Sequence, residues 1–169
     1  DAAQASEVIG VGLNDKEMSL NKKLTGYHVQ DVNEKPGFPD EWKGRFDAVV
    51  MTSGAAYAED LPSLFRAAAE TLKEGGTLFV AYNPDYYSPE ATAVWKGMKA
   101  VEKAKAVTDA LEAAKSFSVP RHERKSYVGR FDLSQDMDMI FAVKNIRSEI
   151  RTDVKLQNPD YVFLFGHIG

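Results

Sequence analysis

Few side chains in this sequence could do chemistry, and most of those have a structural use close at hand. There is no cysteine, which removes disulfides, thiolate metal sites and thiol nucleophiles. The three histidines, His28, His122 and His167, are widely separated. None has a helical partner or an acidic companion at ligand spacing, so no metal site is expected. Asp31 and Asn33 follow an apolar run; a carboxylate there can receive a ligand's donor, yet both residue types also bond their own backbone and close turns. Asn14, ahead of Asp15 and Glu17, reads as a helix N-cap with an acidic first turn. Tyr57, Tyr82, Tyr86 and Tyr87 could line a substrate pocket or pack over a core. The cluster Arg121-His122-Glu123-Arg124-Lys125 reads as a solvated turn rather than a phosphate site.

The elements that must position these residues alternate between strand and helix, the pattern of a parallel sheet with crossover helices. Residues 8–12 form a short apolar strand, and Asn14 opens a helix. Residues 27–30 form a second strand ending at Asp31. Residues 32–44 contain Pro36, Gly37 and Pro39 and read as a surface loop. A buried strand is expected at 46–51. Leu61, Leu64, Phe65, Ala68, Ala69 and Leu72 recur at helical spacing, with Gly75-Gly76 as the expected C-cap. The continuous run 77–82 predicts a strand covered on both faces. The alanine- and lysine-rich segment 89–115 predicts one long helix or two joined ones. An antiparallel hairpin follows, with strands at 125–132 and 139–143 and a turn at 133–136. Beyond Asn145 the chain turns polar, and the apolar run 161–165 closes it. That run could anchor in a partner or fold back on the chain's own sheet.

With 169 residues, 44% hydrophobic, 27% charged and 11% aromatic, the sequence has the composition of one globular domain. A net charge of −4 provides no general basic field, so nucleic acid is excluded as an expected partner. No stretch approaches the roughly 18 apolar residues of a membrane-spanning helix, and no signal pattern is expected at the start. The sequence opens at Asp1, and residues 1–6 read as the tail of something longer.

Four segments carry a resemblance. Val8-Ile9-Gly10-Val11-Gly12-Leu13-Asn14, followed by Glu17-Met18 and Asn21, is the first, and residues 24–34, ending Gln30-Asp31-Val32-Asn33-Glu34, are the second. Phe46-Asp47-Ala48-Val49-Val50 with Tyr57 is the third, and Leu72-Lys73-Glu74-Gly75-Gly76 the fourth. In this order they resemble strands two, three, four and the approach to strand five of class I S-adenosylmethionine (SAM)-dependent methyltransferases, in a branch found in bacteria, algae and plants. The resemblance runs from about residue 8 to 144. It implies an α/β fold with a Rossmann-like methyltransferase sheet, ending in an antiparallel hairpin. It also implies a domain over residues 1–145 and a C-terminal extension over 146–169. SAM would lie at the carboxyl ends of the strands, where crevices open on such sheets. By resemblance Asn14 would sit near the ribose, Asp31 would accept from the adenine amino group with Val32 beside it, and Thr52 and Ser53 would face the reacting centre. No catalytic residue is assigned.

Three departures bear on function. The family's first strand and glycine-rich turn should precede Val8, where the sequence offers seven residues; a strand and helix with their connections need roughly 20 to 30. That strand would lie at the centre of the sheet, and without it two neighbours have unpaired edges that something must fill or cover. Gly12 stands where many relatives place an acid for the ribose hydroxyls. Tyr82-Asn83-Pro84-Asp85 replaces the usual serine-asparagine-arginine after strand five, reversing the local charge. The expectation is therefore a degenerate methyltransferase-like domain, a structural or interaction subunit with protein partners in a larger, photosynthetic assembly and no cofactor. The alternatives are an active small-molecule methyltransferase using SAM, with its cofactor motif upstream of this sequence, and a protein that binds a nucleotide-like ligand without turnover. The family's occurrence implies a chloroplast, with the cytoplasm as alternative, and any membrane contact would come through association with a membrane complex.

Overall fold

The computed structural model describes residues 5–84, 89–118, 121–128, 134–144 and 161–166. Its first strand, β1 (Glu7–Gly12), runs into α1 (Asp15–Leu20), which Asn14 caps by accepting the Glu17 N–H at 3.3 Å. Gly10 lets this helix close on the strand, since a Cβ there would press on Met18 Cε and lie 2.6 Å from Leu24 Cδ1. The returning β2 (Gly26–Val29) pairs parallel with β1, Gly12 opposite Val29. Thr25 fixes the return: its hydroxyl receives Val8 N–H at 2.9 Å, and its own N–H donates to Val8 O at 2.8 Å.

A loop carrying the buried Trp42 leads to β3 (Phe46–Thr52), whose Phe46, Ala48, Val49 and Met51 are all buried. Helix α2 (Leu61–Thr71) starts at Asp60, whose carboxylate accepts the Ser63 N–H at 3.0 Å. It buries Leu64, Phe65, Ala68 and Ala69, the stripe its spacing predicts.

Here the structure corrects the reading of Gly75-Gly76. The helix ends at Leu72, whose N–H bonds to Ala69 O, and β4 (Leu72–Tyr82) begins at that same residue, so the glycines lie inside a strand and cap nothing. They serve an irregularity. Gly75 takes φ +77°, and the register with β3 shifts between Phe46 and Ala48. A Cβ on Gly76 would lie 2.9 Å from Lys73 O and 3.1 Å from Asp47 O, too close for a side chain.

The segment after β4 forms two helices, one of the two expected forms. They are α3 (Ala93–Gly97), capped by Thr92 Oγ1, and α4 (Ala100–Ala114), where Glu102 accepts the Lys99 N–H at 2.6 Å. Then β5 (Arg121–Val128) and β6 (Ser134–Val143) pair antiparallel, and β6 runs antiparallel to β4. The basic cluster 121–125 is thus not a turn but part of β5, the last strand on that side of the sheet.

The last described element, β7 (Tyr161–Gly166), folds back on the chain's own sheet. It lies parallel to β1 on one side and β3 on the other, giving the order β2-β1-β7-β3-β4-β6-β5. The centre of the sheet, where the resemblance leads one to expect unpaired edges, is occupied by this strand. Around the middle of the sheet, Val11, Phe46, Phe65, Leu72, Leu78, Tyr82, Val107, Leu111 and Ile140 form one core, each at 1% exposure or less. Fully burying a side chain of this kind contributes about 1.5–3 kcal/mol. Among the described residues no helix is long and apolar enough to cross a membrane.

Candidate functional site

Because β1, β2, β3 and β7 are parallel, their carboxyl ends share one edge of the sheet. The residues that follow each strand therefore gather there. After β1 come Leu13 and Asn14, after β2 come Gln30, Asp31 and Val32, and after β3 comes Ser53. The Gln30 N–H donates to Gly12 O at 3.0 Å, tying the first two exits together.

Two of the sequence-predicted residues make local side-chain bonds. Asn14 is exposed, and its Oδ1 caps α1. Asp31 is half-buried; one oxygen accepts the Asn33 N–H at 2.8 Å, closing the turn that its residue type suggested and leaving the second oxygen to face other donors. Val32 is buried at 9% exposure. Thr52 is exposed and ends β3.

Ser53 is the unusual member. It holds φ 59°, ψ −5°, a left-handed conformation uncommon outside glycine, which costs about 1–2 kcal/mol and persists only where its surroundings enforce it. What enforces it is a 2.7 Å bond from Ser53 N–H to Ala81 O and the acceptance of Ala56 N–H by Ser53 O at 3.0 Å. These bonds turn the chain sharply at the end of β3 into a short 3-10 turn, Gly54–Tyr57, with Gly54, Ala55 and Ala56 buried.

Sequence reasoning treated Asn33 as a turn former and missed its larger contact. Its Nδ2 donates to Tyr57 O at 2.9 Å, and its Oδ1 accepts Glu59 N–H at 2.9 Å. One amide side chain thus clamps the loop after β2 to the loop after β3, fixing the span between Asp31 and Ser53. The residue type was suggestive, but partners 24 and 26 positions away carry no local signal.

The aromatic and histidine candidates divide. Tyr82 is buried at 1% exposure and meets Trp95 edge to face at 5.0 Å, so it belongs to the core. Tyr57 is partly buried and packs on the same core. Asp85, Tyr86, Tyr87 and His167 lie outside the described residues, as does the side chain of His122. His28 bonds Gln30 Oε1 at 3.1 Å and meets Trp42 edge to face at 5.6 Å, a structural role. No cluster of potential metal ligands occurs among the described residues.

Beside the strand ends lies a largely apolar cleft of about 650 Å³. Ala55, Ala58 and Leu61 line it from the β3 exit and α2, Trp95 and Met98 from α3 and its exit, and Ala110 from α4. It adjoins the Ser53 turn rather than Asp31. Lys103, at 2% exposure, donates from Nζ to Pro84 O at 2.5 Å and lies 5.6 Å from the Trp95 ring, holding the exit of β4 against α3 and α4.

Two shifted groups flank this edge. The hydroxyl of Ser63, and then its N–H, hold the Asp60 carboxyl below its ordinary range. The hydrogen bond to the Asp15 carboxylate, 3.0 Å away, raises the Tyr27 phenol.

A family model described as a methyltransferase domain matches residues 1–80. No curated protein matches the sequence. Among solved structures, the 16S rRNA (adenine(1408)-N(1))-methyltransferase of Catenulisporales acidiphilia, determined with its cosubstrate SAM, is similar at TM-score 0.54 and 10% identity, over 89% of this chain and 91% of that one. A SAM-dependent methyltransferase of Methanosarcina mazei is similar at TM-score 0.53 and 12% identity, over 85% and 94%. Another from Mesorhizobium loti gives TM-score 0.54 and 18% identity, over 83% and 81%. At these identities the likeness is one of fold.

Proposed function

We propose that this chain is a class I SAM-dependent methyltransferase that binds SAM across the carboxyl ends of β1, β2 and β3 and transfers its methyl group to a small-molecule acceptor. The observation that carries this reading is the clamp of Asn33 on Tyr57 O and Glu59 N–H, which holds the Asp31 and Ser53 loops at a fixed separation over one strand edge. A crevice on an open α/β sheet opens at such strand ends.

The residues present fit such a ligand. Asp31 keeps one carboxylate oxygen for an exocyclic amine while the other closes its turn. Buried Val32 offers an apolar face beside it, and Asn14, at the β1 exit, lies toward the ribose. Thr52 and Ser53 border the reacting centre. SAM supplies a methyl group on a sulfonium, open to direct displacement. The protein's part is to hold an acceptor in line with that methyl and to keep water out, a positioning effect worth up to roughly 7–11 kcal/mol in well-oriented intramolecular reactions. The apolar cleft behind Ser53 is the natural seat for the acceptor.

A second reading, a structural subunit without cofactor, draws on the exit of β4. No arginine stands there; Asn83-Pro84 does, and the nearby cation, Lys103, is spent on Pro84 O inside the core. Isothermal calorimetry with SAM and with its demethylated product separates the two. Saturable binding with Kd between about 1 μM and 1 mM supports the enzyme, the range in which enzymes commonly meet their substrates. No heat from either ligand supports the structural subunit.

A further inference from the structure

We infer that the cleft behind Ser53 takes an apolar amine and that Glu59 selects it, so that the methyl acceptor is a nitrogen compound with a hydrocarbon or aromatic body. The inference rests on the methyl-transfer reading above and adds the class of acceptor, which that reading leaves open.

The body of the ligand follows from the walls. Ala106, Ala110 and Ala113 recur at i, i+4 and i+7 on α4 and give the cleft one shallow face. Trp95 and Met98 add the larger apolar surfaces. Side chains as short as alanine leave room for an occupant, and the cleft's volume of about 650 Å³ suits a small molecule. The Thr92 hydroxyl in this lining already accepts the Trp95 N–H at 3.2 Å, so it is occupied in capping α3.

The head group follows from the charges. Among the described residues that line the cleft, Glu59 and Asp109 are the charged ones, and both are acidic. They are not equivalent. Asp109 accepts from Lys105 Nζ at 2.5 Å along the same helix, which offsets its charge. Glu59 is exposed, and no ion pair forms to its carboxylate among the described residues. Its backbone is fixed, since its N–H donates to Asn33 Oδ1 at 2.9 Å. Glu59 is thereby tied to the loop after β2, and an amine at its carboxylate stands on the crevice side of the cleft. Such a lining attracts a cation on an apolar body and repels a carboxylate or a phosphate.

The same charge serves the transfer. An ammonium has no lone pair, so the bound amine first gives a proton to water. Its lone pair then forms the C–N bond as the C–S bond of the sulfonium breaks, the electrons of that bond staying on sulfur. Positive charge returns to the nitrogen, and a carboxylate beside it favours the transition state in which that charge develops.

The test compares three probes of one shape on the full chain without SAM: phenethylamine, phenethyl alcohol and phenylpropanoate. Affinities come from calorimetry, and the indole N–H signals of Trp95 and Trp42 report the place of binding. The amine is expected to bind about fivefold tighter than the alcohol, the gain of one exposed ion pair, with the acid weakest and the Trp95 signal alone shifting. Glu59→Gln keeps the backbone bond to Asn33; it should erase most of the amine's advantage and leave the alcohol's affinity unchanged. Asp109→Asn should do less, because Lys105 already partners that carboxylate. If the glutamine variant unfolds, salt decides on the parent chain: sodium chloride at about 1 M, where the Debye length is about 3 Å, should weaken the amine alone. Alcohol or acid binding as tightly as the amine overturns the inference, as do an unchanged amine affinity in Glu59→Gln and a Trp95 signal that no probe moves. Amine-selective binding at Trp95 by a chain that binds no SAM supports the cleft's ligand class and removes the methyl-transfer reading. Methyl transfer from SAM to the alcohol or the acid in preference to the amine keeps that reading and overturns the amine.

Discussion

At the scale of single residues, the same side chain often serves the fold and the site. Asp31 closes a turn onto Asn33 N–H with one carboxylate oxygen, and the other is the atom the proposed SAM site would use. Substitution can separate these uses, because asparagine also closes such turns but carries no charge. Asp31→Asn is expected to keep the melting temperature and to weaken SAM binding about tenfold, or about 1.4 kcal/mol; equal affinity in calorimetry would make Asp31 a turn residue alone. Asp60 shows the opposite case, a purely structural carboxylate. Asp60→Ala should cost about 1 kcal/mol near neutral pH, the usual loss for an N-cap. Ser63 lowers the carboxyl in the folded chain, so this contribution is complete above the unfolded carboxylate value, about 3.9, and fades as pH falls through the lower folded value. Urea melts of parent and variant should therefore converge on acidification from neutral toward pH 3. Both capping roles could be read from residue type and spacing, as Asn14 was. The left-handed Ser53 could not, because serine carries no mark of positive φ; the conformation is imposed by Ala81 and Ala56, one of them on the neighbouring strand.

At the scale of elements, apolar periodicity located the helices and strands well and their junctions poorly. The stripe Leu64, Phe65, Ala68 and Ala69 is the buried face of α2, and the break in the alanine-rich segment became the α3–α4 junction. Gly75-Gly76 misled because a glycine pair after a helical stripe has two uses, as a cap and as a bulge, and local sequence does not distinguish them. The choice was made by the partners. Lys144 N–H donates to Gly76 O at 2.8 Å, and Gly75 N–H to Lys144 O at 3.3 Å, so the pair must be extended enough to meet the end of β6. Had Gly76 followed a helix end into solvent, alanine would be harmless there. In this strand it meets backbone carbonyls of Lys73 and Asp47, which cannot rotate away. Gly76→Ala is thus expected to cost about 1–3 kcal/mol, the usual range for overpacking, seen as a lower urea midpoint at unchanged slope. A change below a few tenths of a kcal/mol would mean that β3 and β4 separate freely at this point.

At the scale of the whole molecule, the order of strands at the sheet's centre could not be read from the sequence. β1 and β3 are parallel strands whose facing edges must be paired or covered, and β7 pairs with both. That the apolar run after the polar segment takes the central place depends on pairing across the full chain, between Glu7 and Tyr161 on one side and Ala48 and Val162 on the other, and no local pattern encodes such partners. The arrangement has a mechanical consequence. Removing β7 leaves the β2-β1 pair and the β3-β4-β6-β5 block with no strand between them, each with a bare parallel edge. A chain ending after Lys144 should then lose a single cooperative urea transition and associate through those edges. Size-exclusion chromatography with light scattering should show concentration-dependent species larger than monomer, and the exchange protection of β1 should fall more than that of β4, which keeps partners on both sides. A monomeric truncated chain with an unchanged midpoint and slope would mean that β7 contributes nothing to the sheet. The slope is the discriminating quantity, since it follows the surface exposed on unfolding and must shrink if the two parallel pairings made by β7 are lost from the cooperative unit.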